Sequence, residues 1–440
     1  MRMSAPPRIE PANPMPVAMT FKQRLALRAY TFALRLLLPV ILLRYWLRGR
    51  KEPGYRFAMR ERLGYGVDIQ AGSIWVHAVS LGETRAATAL IDALRLRRPE
   101  MRLLLTHGTA TGREAGQALM RNGDRQSWLP LDTPGAVRRF LQRTRPAIGV
   151  LMETEIWPNL LHGAEARGVP MVLANARLSE KSARQGERFA ALMRPAAAAV
   201  ADVLAQTEDD AERLREAGAQ RVALSGNLKF DVRPSPALLS RGKRWHAEIG
   251  RPVVLAAITR EGEEAELMRE WGRIQGRSPF LIVVPRHPQR FDEVQALLVA
   301  NGLRVARRSS WGETPPPAAL KVDAWLGDSM GEMPQYYGAS DIALLGGSFM
   351  ALGGHNLIEA AACGCPIVMG PSTFNFAEAA KQAALAGAAW QEPDMAHALR
   401  RALQVIGSEL REIASARALA FAATHKGAAD RMADRIVRLL

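Results

Sequence analysis

From Ser73 onward, short apolar runs alternate with longer stretches whose apolar positions recur at helical spacing. Ser73–Ala78 predicts a strand and Thr84–Arg97 a helix. Leu103–Thr106 and Ile148–Met152 predict strands, followed by helices over Thr111–Met120 and Trp157–Arg167. Met171–Ala174 and Val203–Ala205 read as further buried strands. The stretch Asp231–Pro236, DVRPSP, predicts a linker. The pattern then restarts with strands over Val253–Ala257, Leu281–Val284, Ile342–Leu345 and Ile367–Met369. Helical spacing follows each, over Glu263–Ile274, Phe291–Asn301, Leu357–Ala362 and Ala377–Leu385, and the tail after Asp394 reads as helical. Apolar strands alternating with helices predict parallel sheets covered on both faces. The fold class is therefore α/β: two Rossmann-like, doubly wound domains facing a cleft, spanning 52–232 and 233–440. Ligands of such sheets bind beyond the carboxyl ends of the strands.

The segment ahead of these domains is different. Residues 1–19, rich in Pro and small side chains, predict a disordered tail. Residues 20–51 combine an apolar centre, Leu36–Leu43, with Arg24, Arg28, Arg35, Arg44, Arg48, Arg50 and Lys51. Tyr30, Phe32, Tyr45 and Trp46 flank that centre. Arg35 and Arg44 interrupt it before the roughly 20 apolar residues that a span wants. No small-residue cleavage site follows, which argues against a cleaved signal peptide. A basic helix lying in an anionic membrane surface fits this pattern best, ahead of a single span or a soluble core helix.

A hydrophobic share of 48% with 23% charged residues excludes disorder of the whole chain, and 440 residues are too many for one core. Cys363 and Cys365 are the only cysteines; one residue apart, they match no zinc motif and read as small buried side chains in a reducing compartment. The eight histidines are scattered, so no metal site and no cofactor is expected. The formal charge of +16 calls for an anionic partner. No zinc finger, RNA-binding signature or basic helix with interleaved aromatics is present, so lipid and phosphorylated substrates rank above nucleic acid.

The candidate chemistry sits after predicted strands. Glu83 follows the first strand and Gly82, where it suits either a general base or an N-terminal helix cap. Glu153 and Glu155 follow Ile148–Met152, ahead of Pro158 at a helix start. Lys229 stands just before the linker, where it can reach anionic groups. In the second half, Pro285-Arg286-His287 closes a buried strand, and Arg286 suits a phosphate. Gly327–Glu332 is a glycine-bearing turn opening a helix. Gly353-Gly354-His355-Asn356 precedes a helix whose N–H groups can meet a phosphate, and Glu359 can accept ribose hydroxyls. Neither a Walker-A lysine motif nor G-x-G-x-x-G occurs, which weakens ATPase and dehydrogenase readings.

The ordered runs SLGETRAA, METEIWPNL, ANARLS, GNLKFD, VPRHPQRF, GDSMGE and GGHNLIEAAACGCPIVMGP resemble the 3-deoxy-D-manno-octulosonic acid (Kdo) transferases over nearly the whole chain from about Thr20. The resemblance implies the two-Rossmann glycosyltransferase fold termed GT-B. It implies Kdo transfer from CMP-Kdo to a lipid A precursor, lipid IVA, at the cytoplasmic face of the Gram-negative inner membrane, in lipopolysaccharide biosynthesis. By the same resemblance Glu83 is the general base, and Glu153 and Lys229 stabilise the transition state. CMP meets Pro285 and Arg286, then Met330, Gly331 and Glu332, then Asn356, Leu357, Ile358 and Glu359. The 52–232 domain takes the acceptor and 233–440 the donor. One position departs: where the family often carries Thr-His, the chain reads Thr259-Arg260, which leaves Arg260 without an assigned role. A UDP-sugar transferase and a non-catalytic nucleotide- or sugar-binding scaffold are the competing readings.

Overall fold

The computed structural model describes residues 19–231, 233–274 and 279–440. The expected 1–19 tail lies outside these, apart from Met19. The chain divides into two compact units: Met1–Asp231 with Gly427–Leu440, and Val232–Lys426.

The first unit is built on seven strands: β1 (Ile74–His77), β2 (Leu103–His107), β3 (Arg125–Trp128), β4 (Ile148–Met152), β5 (Met171–Ala176), β6 (Asp202–Ala205) and β7 (Val222–Leu224). They form one sheet in the order β3-β2-β1-β4-β5-β6-β7. Every pairing is parallel. Side chains alternate between faces along each strand. Ile74 and Val76 of β1 therefore join one core and Trp75 the other. The closing helix Ala428–Val437 supplies Met432, Ala433 and Ile436 to the first of these cores, beside Leu90, Ile91 and Leu94 of helix Leu81–Arg97. The expected 233–440 domain thus gives up 427–440 to the first unit. Arg97 fastens that return through Asp430 (3.0 Å) and Asp434 (2.6 Å).

The second unit repeats the plan with β8 (Val253–Thr259), β9 (Phe280–Pro285), β10 (Val305–Arg307), β11 (Ala324–Leu326), β12 (Ile342–Leu345), β13 (Ile367–Met369) and β14 (Ala389–Gln391). Its order is β10-β11-β9-β8-β12-β13-β14, again parallel throughout. Both thiols of Cys363 and Cys365 are buried and free.

The basic-apolar segment forms one long helix, Phe21–Arg48, opened by a capping box between Thr20 and Gln23. None of its residues is buried, which removes the soluble core helix from consideration. Phe32, Leu36, Val40 and Leu43 are each more than half exposed. By length and composition it could cross a membrane. It is held to the first unit by polar bonds: Tyr30 donates to Asp132 (2.9 Å) and Thr31 to Asn159 (3.0 Å). Near its end, Tyr45 stacks on Tyr55 and lies under the guanidinium of Arg62, 3.8 Å from the ring centre.

Candidate functional site

In each sheet the strand order turns back between two inner strands, and the loops after those strands open a crevice for ligands. In the first unit the turn-back lies between β1 and β4. Glu83 comes after β1, and Glu153 and Glu155 come after β4. Adjacent strands therefore carry all three acids to one edge.

Glu83 sits in the first turn of helix Leu81–Arg97. One carboxylate oxygen accepts the N–H of Val79 (2.8 Å) and the other accepts the hydroxyl of Ser80 (2.9 Å). The Ser80 hydroxyl accepts the Glu83 N–H (3.3 Å) and so caps the helix. The cap and the aimed carboxylate are thus one device, because each oxygen keeps a second lone pair for another donor. Burial raises the Glu83 carboxyl above the ordinary range; the Val79 and Ser80 bonds oppose this and the charge of Glu153 adds to it.

Glu153 holds a left-handed backbone at φ 57°. A glutamate there is strained, and such strain gathers where geometry must be fixed. Its carboxylate meets Lys229 at 3.4 Å. Lys229 is placed by a chain of amides. Asn175, at the end of β5 and itself at φ 54°, accepts the N–H of Leu228 (3.0 Å). Asn227 accepts the N–H of Lys229 (2.9 Å). The ANARLS and GNLKFD runs are therefore parts of one support.

Glu155 and His77 carry a signal that sequence reasoning named only in part. Glu155 accepts the Trp157 indole N–H (2.7 Å). Burial pushes its carboxyl up to about 7, opposed by that bond and helped by the charges of Glu83 and Glu153. The fully buried His77 sits 4.0 Å away through Nε2, which has no hydrogen-bond partner. Its Nδ1 lies 3.1 Å from the Thr106 carbonyl. Burial, with His107 beside it, holds this imidazole down near 3, so it is neutral. Only the position of His77 at a strand end could have marked it.

In the second unit the order turns back between β8 and β12. Four adjacent strands, β11-β9-β8-β12, send their following loops to one edge. These loops hold Gly327–Glu332, Pro285-Arg286, Thr259-Arg260 and Gly346–Ile358. The buried carboxylate of Glu263 ties two of them, accepting N–H groups of Arg260 (2.8 Å), Gly347 (2.8 Å) and Phe349 (3.1 Å). Gly346 is needed where it stands: a Cβ there would lie 2.4 Å from the Ile258 carbonyl. Ile258 is itself left-handed at φ 57°, a strained state for a β-branched residue.

His355 is the point where these loops converge. Burial holds it down near 4, and Arg286, Arg260 and His287 add positive potential in that order. Its Nε2 is buried without a partner. A neutral imidazole among three basic side chains is a ready place for an anion. Arg260, left without a role by the sequence, belongs to this group. Glu332 is held by Ser329 (2.5 Å) and Arg308 (3.1 Å), with Gly331 at φ 78° and Met330 exposed beside it. Asn356 caps the short helix Leu357–Ala362 by accepting the Ile358 N–H (3.0 Å). Leu357 and Ile358 have core side chains, so only their backbone can face a ligand. Glu359 is raised by burial alone. No group of side chains suited to a metal ion occurs among the described residues.

A solved glycosyltransferase from Rickettsia africae shares the architecture, with TM-score 0.53 and 11% identity over 84% of this chain and 100% of that one. The paired doubly wound sheets define the GT-B fold. Residues 57–232 match the family model described as 3-deoxy-D-manno-octulosonic-acid transferase (kdotransferase). The Kdo transferase of Bordetella pertussis is 47% identical over 92% of this chain and 98% of its own length. That of Haemophilus influenzae is 33% identical over 92% and 96%. The chain belongs to the Kdo transferase family.

Proposed function

We propose that the chain moves Kdo from CMP-Kdo to a lipid A precursor, lipid IVA, in lipopolysaccharide biosynthesis, releasing CMP with inversion. The observation that carries this is the set of three acids and Lys229 at the strand turn-back of the first unit, with Glu153 held in a strained backbone. The acceptor belongs to this unit and the nucleotide to the second.

Glu83 acts as the base. Its cap bonds fix its aim, and the remaining lone pairs accept the attacking hydroxyl. The hydroxyl oxygen bonds to the anomeric carbon, its proton passes to Glu83, and the bond from that carbon to the CMP phosphate oxygen breaks. The electron pair leaves with the phosphate. One displacement inverts the centre, and CMP is a good enough leaving group for one to suffice. Glu153 and Lys229 flank the reacting atoms with paired charge, favouring the charge distribution of the transition state over that of the ground state. Arg286, with Pro285 at its strand end, bears on the phosphate, and the Asn356–Glu359 turn offers N–H groups and a carboxylate. Met330, Gly331 and Glu332 close the nucleotide's other side.

The helix Phe21–Arg48 holds the enzyme on the inner membrane at its cytoplasmic face, where both substrates are met. Its exposed apolar side chains and basic residues suit an anionic surface. Mass spectrometry of products from CMP-Kdo and a tetra-acylated lipid A precursor tests donor, acceptor and number of transfers together. Stabilisation against heat by UDP and not by CMP would instead support a UDP-sugar donor.

A further inference from the structure

The first unit contains an apolar cavity of about 590 Å³ that the chemistry described so far does not use. Its floor is Leu173 of β5 and Val203 of β6; its walls are Leu178, Ala183, Met193 and Ala197. These are side chains that packing usually brings into contact, yet they leave room for a ligand of moderate size. Thr154, the residue between Glu153 and Glu155, lines the cavity. The helix Ala190–Ala198 lines it too, and packs against the long N-terminal helix Phe21–Arg48. The cavity therefore shares a residue with the acid loop and a wall with a helix that packs on Phe21–Arg48, where Phe32, Leu36 and Val40 are exposed.

We propose that this cavity receives one fatty acyl chain of a phosphorylated glycolipid acceptor. The inference rests on the acceptor reading given above and names the part of the acceptor that this wall recognises. Charged side chains, Glu180, Arg184, Glu187, Arg194, Arg213 and Glu216, also line the cavity; its larger aliphatic part selects methylene surface, since each methylene withdrawn from water favours binding. Arg177, Lys181, Arg184 and Arg188 are exposed on the same stretch of chain, where a lipid's phosphates would meet them. The chain in the cavity brings the sugar head to Thr154, and so to the carboxylates on either side of it. Phe189, 64% exposed between the helices Glu180–Glu187 and Ala190–Ala198, offers a further apolar contact for a chain arriving from a bilayer.

The test uses the full-length protein with two acceptors: a phosphorylated glucosamine disaccharide bearing acyl chains and the same disaccharide fully deacylated. Ala183→Phe places a ring in the cavity. The KM for the acylated acceptor should rise about tenfold, while the KM for the deacylated one and for the donor stays unchanged. An unchanged KM for the acylated acceptor, or equal rises for both, overturns the proposal. A dodecanoyl chain ending in a diazirine, carried on the same disaccharide, should cross-link unaltered protein within residues 173–203. This measurement needs no variant to fold and no turnover. Kdo transfer without cross-linking there overturns the cavity assignment alone. Cross-linking there without any Kdo transfer upholds the acyl site and overturns the proposed reaction.

Discussion

Glu153 keeps its left-handed backbone although a glutamate is strained there by about 1–2 kcal/mol. Asn tolerates that conformation better. Glu153→Asn should therefore leave thermal stability equal or higher while transfer falls at least about 100-fold, measured by melting and by product formation on one preparation. Glu83→Ala should keep CMP affinity and lower turnover by about 10²–10⁴. Its loss also removes a cap bond, so a melt must accompany the assay. Glu155 gives a pH signature. Its folded value of about 7 lies above the 4.5 of the free side chain. The folded state then holds the proton more tightly, and stability falls as pH rises through the window from 4.5 to about 7. Glu155→Gln removes that loss, so it should stabilise the protein at pH 8 by about 1–3 kcal/mol and do little at pH 4. Equal effects at both pH values would falsify this. The acids themselves were visible in the sequence as polar residues after apolar runs. His77 and Glu263 were not, because a strand-end histidine and a helix-start acid look the same whether or not loops converge on them.

At the scale of elements, most inner strands were legible, but the inner β11 and the edge strands β3 and β10 were not. Ile148–Met152, Ile342–Leu345 and Ile367–Met369 stand where the apolar pattern places them, because both faces are buried and every residue must be apolar. β3 reads Arg-Gln-Ser-Trp and buries only its last two residues. β10 is Val-Ala-Arg, with no residue fully buried. An edge strand has one neighbour and needs no continuous apolar run. The helix Pro134–Thr144 was likewise missed behind its arginines, though Val137, Phe140 and Leu141 form a buried stripe. Glu263 couples elements rather than residues. Glu263→Ala frees three backbone N–H groups in two loops and should weaken CMP binding about tenfold or more by calorimetry, with the acceptor KM unchanged. For the N-terminal helix, deleting residues 1–50 should move the enzyme from the membrane to the soluble fraction. Unaltered membrane recovery would dismiss the anchor.

At the scale of the whole molecule, the closing helix Ala428–Val437 belongs with the first sheet rather than with the residues that precede it. Its amphipathic stripe was readable, but a stripe does not say which core it covers. Arg435 pairs with Asp202 at 2.8 Å, and Asp231 accepts the N–H of Ala429 (2.7 Å), so the return is specified by polar contacts as well as by apolar area. A chain ending at Lys426 should leave Leu90, Leu94 and Val76 uncovered and lose cooperative melting of the first unit. A chain of residues 233–426, complete in its own sheet, should fold alone and bind CMP. The same return has a consequence for synthesis. The ribosome makes the first sheet early, yet the helix Ala428–Val437 that helps seal one of its faces comes about 200 residues after its last strand. At about 5–20 residues per second, that face waits about 10–40 s for its cover. Through that interval the face carries helix Leu81–Arg97 but lacks its second cover. That face is finished only once the helix Ala428–Val437 has been made.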